Sequence, residues 1–369
     1  MSGLPTNPII VNVARKIIYG SHAVTSLPEV CESLGFSKVF VVTGTSATRL
    51  IRDQTLLPLL NEVPGLATEV VEVGSGPYED EISRLQETFS SVPRRGAAIL
   101  AAGGGRVMDI TKVASCYSKI PWVSLPTSAS HDGFASPFIN YVLRQVLQSE
   151  NHSLGPYRPT PPLAIVGDTN LITKGPYRQV VSGVGDLVAK FSANKDWELA
   201  FRLRGEYYDE YAATFGLVSA RIVEEGYPLI AEGNEPGVRL VVKALGNSGV
   251  AMSIAGNSRP ASGSEHLISH YLDYMANEGR FNSDKTMHGF QVGLATVLSM
   301  YLHGGDWRRI LELLRAVRHP TTFEAIGVDS DVLLEALTHA HTIRSDRYTI
   351  LGSGLNKRGA VNAIEATGV

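Results

Sequence analysis

The chain has 369 residues, 44% of them hydrophobic, and a formal net charge of −3. A single core stops growing at roughly 250–300 residues, so two domains are expected. The near-neutral charge, with no basic run, leaves no electrostatic footprint for nucleic acid, and no apolar run approaches the roughly 18 residues of a membrane span.

The first ten residues lack the charged-then-apolar pattern of a secretory leader. Lys38–Gly44 reads as a buried strand ending in a glycine turn, and 68–73 as a second strand followed by a helix over 79–90. Cys31 and Cys116, the only cysteines, lie in apolar segments without metal spacing. They are expected to be buried thiols of a cytoplasmic protein. A third strand over 96–102 and a fourth over Trp122–Pro126 continue the alternation, and 161–167 closes it. Strands alternating with helices imply a parallel, doubly wound, Rossmann-like sheet. The polar stretch 145–161 is expected to be a hairpin or an excursion between strands.

Beyond about residue 170 the strand pattern vanishes. Helical periodicity covers 185–204, 207–225, 237–255, Ser264–Asn277, 286–302, 307–317 and 330–340. The expectation is an α/β domain over 1–169, an all-helical domain over 170–369, and an active site in the cleft between them.

Gly103, Gly104 and Gly105 follow the third strand and open a helix with Arg106 and Val107. Glycines let backbone N–H groups approach a ligand without a Cβ in the way, and a helix N-terminus attracts phosphate. The spacing is not the usual G-x-G-x-x-G. A tight turn that binds nothing is the competing explanation, and three adjacent glycines at a strand's C-terminal end favour a dinucleotide. The next strand ends in Pro126-Thr127-Ser128-Ala129-Ser130-His131-Asp132. Its small hydroxyl residues can bond a nicotinamide or ribose, and Asp132 can accept a substrate hydroxyl. His131 is expected to be a loop imidazole facing solvent.

Asp186 falls near the expected start of a helix, where a simple cap competes with a ligand role. Lys190 and Asn194 follow on the same face at i+4 and i+8, so they are candidates for gripping an anionic substrate. His266 and His270 stand four apart on one helical face, and His288 follows. With one carboxylate, three imidazoles are enough to hold a divalent metal with an open position. Leu267 occupies the glutamate position of H-E-x-x-H, which disfavours a zinc protease. Which imidazole is not a ligand stays open on spacing alone.

The strings GGGRVMD (103–109), PTSASHDGFASP (126–137), SGVGDLVAKFSANKDWELA (182–200), NSRPASGSEHLISHYLD (257–273), MHGFQVG (287–293) and IRSDRYTIL (343–351) together resemble the sn-glycerol-1-phosphate dehydrogenase family. That family belongs to the iron-dependent alcohol dehydrogenase and dehydroquinate synthase superfamily. The resemblance runs from about residue 39 to 351; Arg106 and Ser128 depart from the usual family pattern. It implies that Gly103, Gly104, Gly105, Arg106, Val107, Thr127, Ser128, Ala129, Ser130 and Ser136 contact NAD or NADP. It implies Zn2+ on Asp186, His266 and His288, and substrate on Asp132, Asp186 and His270. The implied reaction is hydride transfer between dihydroxyacetone phosphate and sn-glycerol 1-phosphate, which supplies the glycerol backbone of ether lipids. His270 would then relay the proton. Lys190, Asn194 and Arg259 are candidates for the phosphate. The turn Thr43-Gly44-Thr45-Ser46 carries no acidic residue to repel a 2′-phosphate, so NADPH should be accepted at least as readily as NADH. A homo-oligomer is the usual expectation for such an enzyme. Competing readings are a dehydroquinate synthase-like lyase, a dehydrogenase of glycerol or another polyol, and a nucleotide-binding protein without chemistry.

Overall fold

Six strands form one parallel sheet in the computed structural model, which describes residues 10–45, 47–148 and 157–369. They are β1 (Lys16–Gly20), β2 (Lys38–Gly44), β3 (Ala67–Val73), β4 (Ala97–Gly103), β5 (Trp122–Pro126) and β6 (Ala164–Asp168). Their order is β1-β6-β5-β4-β2-β3. Every residue of β4, β5 and β6 is buried, as expected of parallel strands covered on both faces. The connecting helices are α1 (Leu27–Ser33), α2 (Ala47–Ile51), α3 (Leu57–Asn61), α4 (Tyr78–Ser90), α5 (Gly105–Ser118), α6 (Tyr141–Gln148) and α7 (Thr169–Thr173). The core of this layer includes Val39, Val41, Leu100, Val123 and Val166 with Leu27, Val30 and Leu56.

Chain direction across the sheet reverses between β2 and β4. From β2 the chain steps outward to β3, whereas β4 leads to β5 and then β6 on the other side. The carboxyl ends of β2 and β4 therefore flank a topological switch point, where open α/β sheets take their ligands.

The five expected strands are present. β1 was not expected: it is a short edge strand whose positions alternate between half-buried and exposed, so it lacks the continuous apolar run that marks the inner strands. Of the hairpin or excursion expected over 145–161, residues 145–148 belong to α6, between β5 and β6; residues 149–156 lie outside the described ones. Of the two thiols, Cys31 is buried and Cys116 only half-buried. Burial and the neighbouring Glu32 push the Cys31 thiol up to about 11.

The other half is helical: α8 (Tyr177–Arg204), α9 (Glu210–Ala231), α10 (Glu235–Ala255), α11 (Ser264–Asn277), α12 (His288–Leu302), α13 (Trp307–Ala316), α14 (Ser330–His339) and α15 (Lys357–Thr367). Asp209, Asn234, Asp306 and Asn356 cap α9, α10, α13 and α15 by accepting from backbone N–H groups. α15 was not expected from periodicity. α10 is long and apolar enough to cross a membrane by composition, but 67% of that stretch is buried, as in the core helix of a globular unit. Chain contacts divide the protein into one unit of Asn12–Ser128 with Gly133–Gly175, and another of Pro176–Val369 with Ala129–Asp132.

The start of α8 differs most from expectation. The helix begins at Tyr177, not at 185, so Asp186 lies in its interior and the capping explanation fails. Gly183 and Gly185 are not a helix boundary. A Cβ on Gly183 would strike the Ala129 carbonyl, one on Gly185 the Gly289 carbonyl, and one on Gly289 the Ser182 carbonyl. These glycines let α8 and α12 touch backbone to backbone.

Candidate active site

That close crossing sets Asp186 of α8 beside His288, the first residue of α12, and α11 adds His266. One ligand atom from each of Asp186, His266 and His288 lies within 4.8 Å of the others. A carboxylate and two imidazoles converging in this way fit a divalent cation that keeps an open position. His266 is further oriented from behind. Its Nδ1 donates to Glu265 Oε1 at 2.8 Å, which leaves Nε2 facing Asp186 Oδ1 at 3.6 Å. The fully buried Glu265 also accepts from Gly263 N and from Ser192 Oγ, both at 2.6 Å. A carboxylate behind a ligating imidazole fixes its tautomer and raises its basicity. Behind His288, the Ser269 hydroxyl stands 3.4 Å from Nδ1 and 2.7 Å from the Gln291 side-chain amide.

His270 joins this cluster from the next turn of α11. Its ring centroid is 5.9 Å from that of His266 and 6.3 Å from that of His288. Burial, then the charges of His266, His288, Arg344 and Arg347, hold it well below the usual histidine range, so it is a neutral imidazole. Burial and the charge of His266 likewise push His288 down to about 3. His131, expected to face solvent, instead meets His288 edge-on with centroids 6.2 Å apart.

Asp132 arrives from the loop after β5. Its N–H donates to Asp186 Oδ2 at 2.8 Å, and its Oδ2 accepts from Ser248 Oγ at 2.7 Å. Lys190 Nζ lies 3.0 Å from both Asp132 Oδ2 and Asp186 Oδ1. Burial alone would push Asp186 up, but Lys190, His266 and His288 outweigh it and keep the carboxylate well below its usual range. Burial would likewise push Lys190 down, and Asp132 and Asp186 reverse that.

The phosphate candidates fare differently. Lys190 is fully buried and spent on Asp132 and Asp186. Asn194 accepts from Tyr208 OH at 3.0 Å and donates to the Ala213 carbonyl, while Arg259 pairs with Glu206 and donates to the Tyr348 carbonyl. All three therefore serve the protein's own groups. Glu265, which spacing did not single out, was legible only as the residue beside His266.

In the sheet-bearing unit, Gly103 closes β4 and Gly104 stands at the N-cap of α5. A Cβ on Gly103 would lie 2.7 Å from Val107, whereas one on Gly104 would meet nothing within 4 Å. Gly103 is thus fixed by packing, and Gly104 keeps an open approach to the first N–H groups of α5, beside Gly105. The Arg106 side chain turns away from that approach. It donates to the Gly74 carbonyl at 2.8 Å and to the Gly76 carbonyl, and covers the Tyr78 ring at 4.4 Å. Any contact of Arg106 with a dinucleotide would thus come from its backbone. Thr127 N donates to the Gly103 carbonyl at 3.1 Å, tying the two loops together, and Ser128 follows. Ala129 is buried, and the Ser130 carbonyl accepts from Ser182 Oγ at 3.0 Å. Ser136 is buried and its hydroxyl accepts from Phe138 N at 3.0 Å. At the end of β3, Glu72 stands in register with Thr43 of β2 and pairs with Arg49 at 3.1 Å and Arg52 at 2.6 Å.

The profile of the family described as iron-containing alcohol dehydrogenase matches residues 18–176. The chain is 41% identical over 356 residues to a glycerol-1-phosphate dehydrogenase (NAD(P)+) of Pyrobaculum arsenaticum, covering 96% of this chain and 97% of the relative. It is 39% identical over 361 residues to the one of Pyrococcus furiosus, covering 98% and 99%. Among solved structures, the glycerol dehydrogenase of Schizosaccharomyces pombe superposes with a TM-score of 0.76 at 20% identity, covering 98% of this chain and 91% of that one; at that identity the likeness shows the fold alone. With full-length identity near 40% and the fold in agreement, the chain belongs to the glycerol-1-phosphate dehydrogenase family.

Proposed function

We propose that this protein is an NAD(P)-dependent, metal-dependent sn-glycerol-1-phosphate dehydrogenase that reduces dihydroxyacetone phosphate to sn-glycerol 1-phosphate. The convergence of Asp186, His266 and His288 carries the reading; a family member without the chemistry would have no reason to keep this set. The sheet-bearing unit is assigned the dinucleotide through Gly103, Gly104, Gly105, Thr127 and Ser128. The helical unit is assigned metal and substrate. We propose zinc: one carboxylate and two imidazoles suit it, as they suit ferrous iron or nickel, and the family resemblance favours zinc. When bound, the cation would polarise the substrate carbonyl and stabilise the negative charge that develops on its oxygen as hydride arrives.

The chain's own residues supply the remainder. Glu265 holds His266 with one ring nitrogen free. Asp132, fixed by Lys190 and Ser248, offers a carboxylate to a substrate hydroxyl. His270, neutral and only partly exposed, can take a proton at one nitrogen and release one at the other, which completes the alcohol. Coenzyme choice follows from charge. The turn Thr43-Gly44-Thr45-Ser46 carries no acidic residue, and Glu72, in register with Thr43, is paired with Arg49 and Arg52, so NADPH should be used at least as well as NADH.

The test is the rate of nicotinamide absorbance change with dihydroxyacetone phosphate, with the product's stereochemistry determined and glycerol run as the competing substrate. Net oxidation of NAD(P)H giving the sn-1 isomer supports the proposal. Turnover of glycerol alone, or a reaction without net change in the coenzyme, sinks it.

A further inference from the structure

The segment 343–351 contributes two arginines that the chemistry above does not use. Arg347 is buried, and its guanidinium donates to the Ser262 carbonyl and, at 2.9 Å, to Ser258 Oγ. Among the described residues it has no carboxylate within ion-pair distance. The acidic groups that act on it at longer range are already taken: Glu206 pairs with Arg259 and Asp346 with Arg344. Three guanidinium groups therefore face two carboxylates, and Arg347 carries the uncompensated charge. Arg344 adds a buried Nε with no hydrogen-bond partner. A buried guanidinium without an anion is costly, and a cluster of them is a binding site for one.

The position of the cluster fixes its role. Ser258 and Ser262 belong to the loop that leads into α11, the helix bearing His266 and His270. Arg344 and Arg347 both act electrostatically on His270, as do His266 and His288. His270 thus feels the charge of both the metal-binding set and the arginines. The residues expected to grip phosphate, Lys190, Asn194 and Arg259, bond the protein's own groups.

We infer that Arg347, assisted by Arg344, is the subsite for the phosphate monoester of the substrate, with His270 between that phosphate and the reacting carbonyl. The inference rests on the proposed triose-phosphate activity and adds where the dianion is held. A planar guanidinium suits it, because two parallel N–H groups match two phosphate oxygens.

The test uses the full-length, metal-loaded enzyme and the variants Arg347→Gln, Arg347→Lys and Arg344→Gln. Arg347→Gln is expected to raise both the KM for dihydroxyacetone phosphate and the inhibition constant of inorganic phosphate by about tenfold or more, the loss of a charge-assisted fork. The KM for NAD(P)H and the metal content should stay as in the wild type, which separates substrate phosphate from coenzyme phosphate. Arg347→Lys should recover part of the loss, since charge returns without the fork. If Arg347→Gln fails to fold, Arg344→Gln and Arg347→Lys carry the test, with KM increases of at least about threefold expected from the weaker contacts. KM and phosphate inhibition within twofold of wild type in every folded variant would overturn the inference while leaving the activity intact. Conversely, if the wild type binds inorganic phosphate calorimetrically and Arg347 variants lose that binding, yet dihydroxyacetone phosphate is not reduced, the subsite stands and the proposed substrate falls.

Discussion

Glu265 spends both carboxylate oxygens inside the protein, on His266, Gly263 and Ser192. Replacing it by Gln keeps the volume but puts an amide where a charged acceptor held the imidazole. Glu265→Gln is expected to weaken metal binding by about 10–100-fold, as loss of an outer-shell partner does; calorimetric zinc titration measures it, and affinity within twofold of wild type would remove Glu265 from the metal's support. The proposed metal set was legible as residue types: three imidazoles and a carboxylate stood out in the sequence, and Asp186, His266 and His288 converge in the fold. Spacing alone did not say that His270 is the odd one out, because i and i+4 on a helix look alike whichever of them ligates. Nor did it reveal that Lys190 and Asn194 are spent internally. The two lie four apart on α8, but spacing on a helix does not tell whether a side chain meets substrate or the next helix.

At the scale of elements, the crossing of α8 and α12 makes the site. Gly185→Ala would drive a methyl into the Gly289 carbonyl and is expected to cost at least about 1–3 kcal/mol by overpacking, with metal affinity falling alongside; thermal unfolding and zinc titration report the two. An unchanged Tm would show that the helices need not touch. Gly104→Ala is the contrasting case. Its Cβ meets nothing and its backbone is extended, so stability should change by within about 1 kcal/mol while dinucleotide affinity drops. The helices of this half were visible by periodicity. Their ends were less so where a tertiary contact, not a capping residue, put the glycines in place: the periodicity starts a helix at 185, whereas Gly183 and Gly185 lie inside α8, Gly185 where it meets α12. The inner strands showed as unbroken apolar runs, and β1 escaped because an edge strand has no such run.

For the whole molecule, buried histidines set the response to acid. His288 and His319 are pushed down to about 3 and about 4, chiefly by burial, and His270 is also lowered. Each stays neutral in the folded state while the unfolded chain takes up a proton below about 6.5, so stability falls as pH drops from about 6.5 toward 4. His266 and Asp273 act in the opposite sense. His266 is raised, burial notwithstanding, by Asp186 and Glu265, and burial lifts Asp273 to about 6; both bind protons more readily when folded. His288 and His319 depart further from their unfolded values than Asp273 does, so the balance is a loss on acidification. The Tm of chelator-treated protein should therefore decline from pH 7 to pH 4.5, and a flat or rising profile would contradict the burial of these imidazoles. Bound metal should be lost over the same range, since protons compete for its ligands.

The most direct measurement is the metal content per chain, paired with the rate of dihydroxyacetone phosphate reduction, in the wild type, His266→Ala and His270→Ala. One divalent ion per chain with activity is expected in the wild type, neither in His266→Ala, and the ion with slowed turnover in His270→Ala. Full metal and full activity in His266→Ala would contradict the assignment of Asp186, His266 and His288 as the centre of the chemistry.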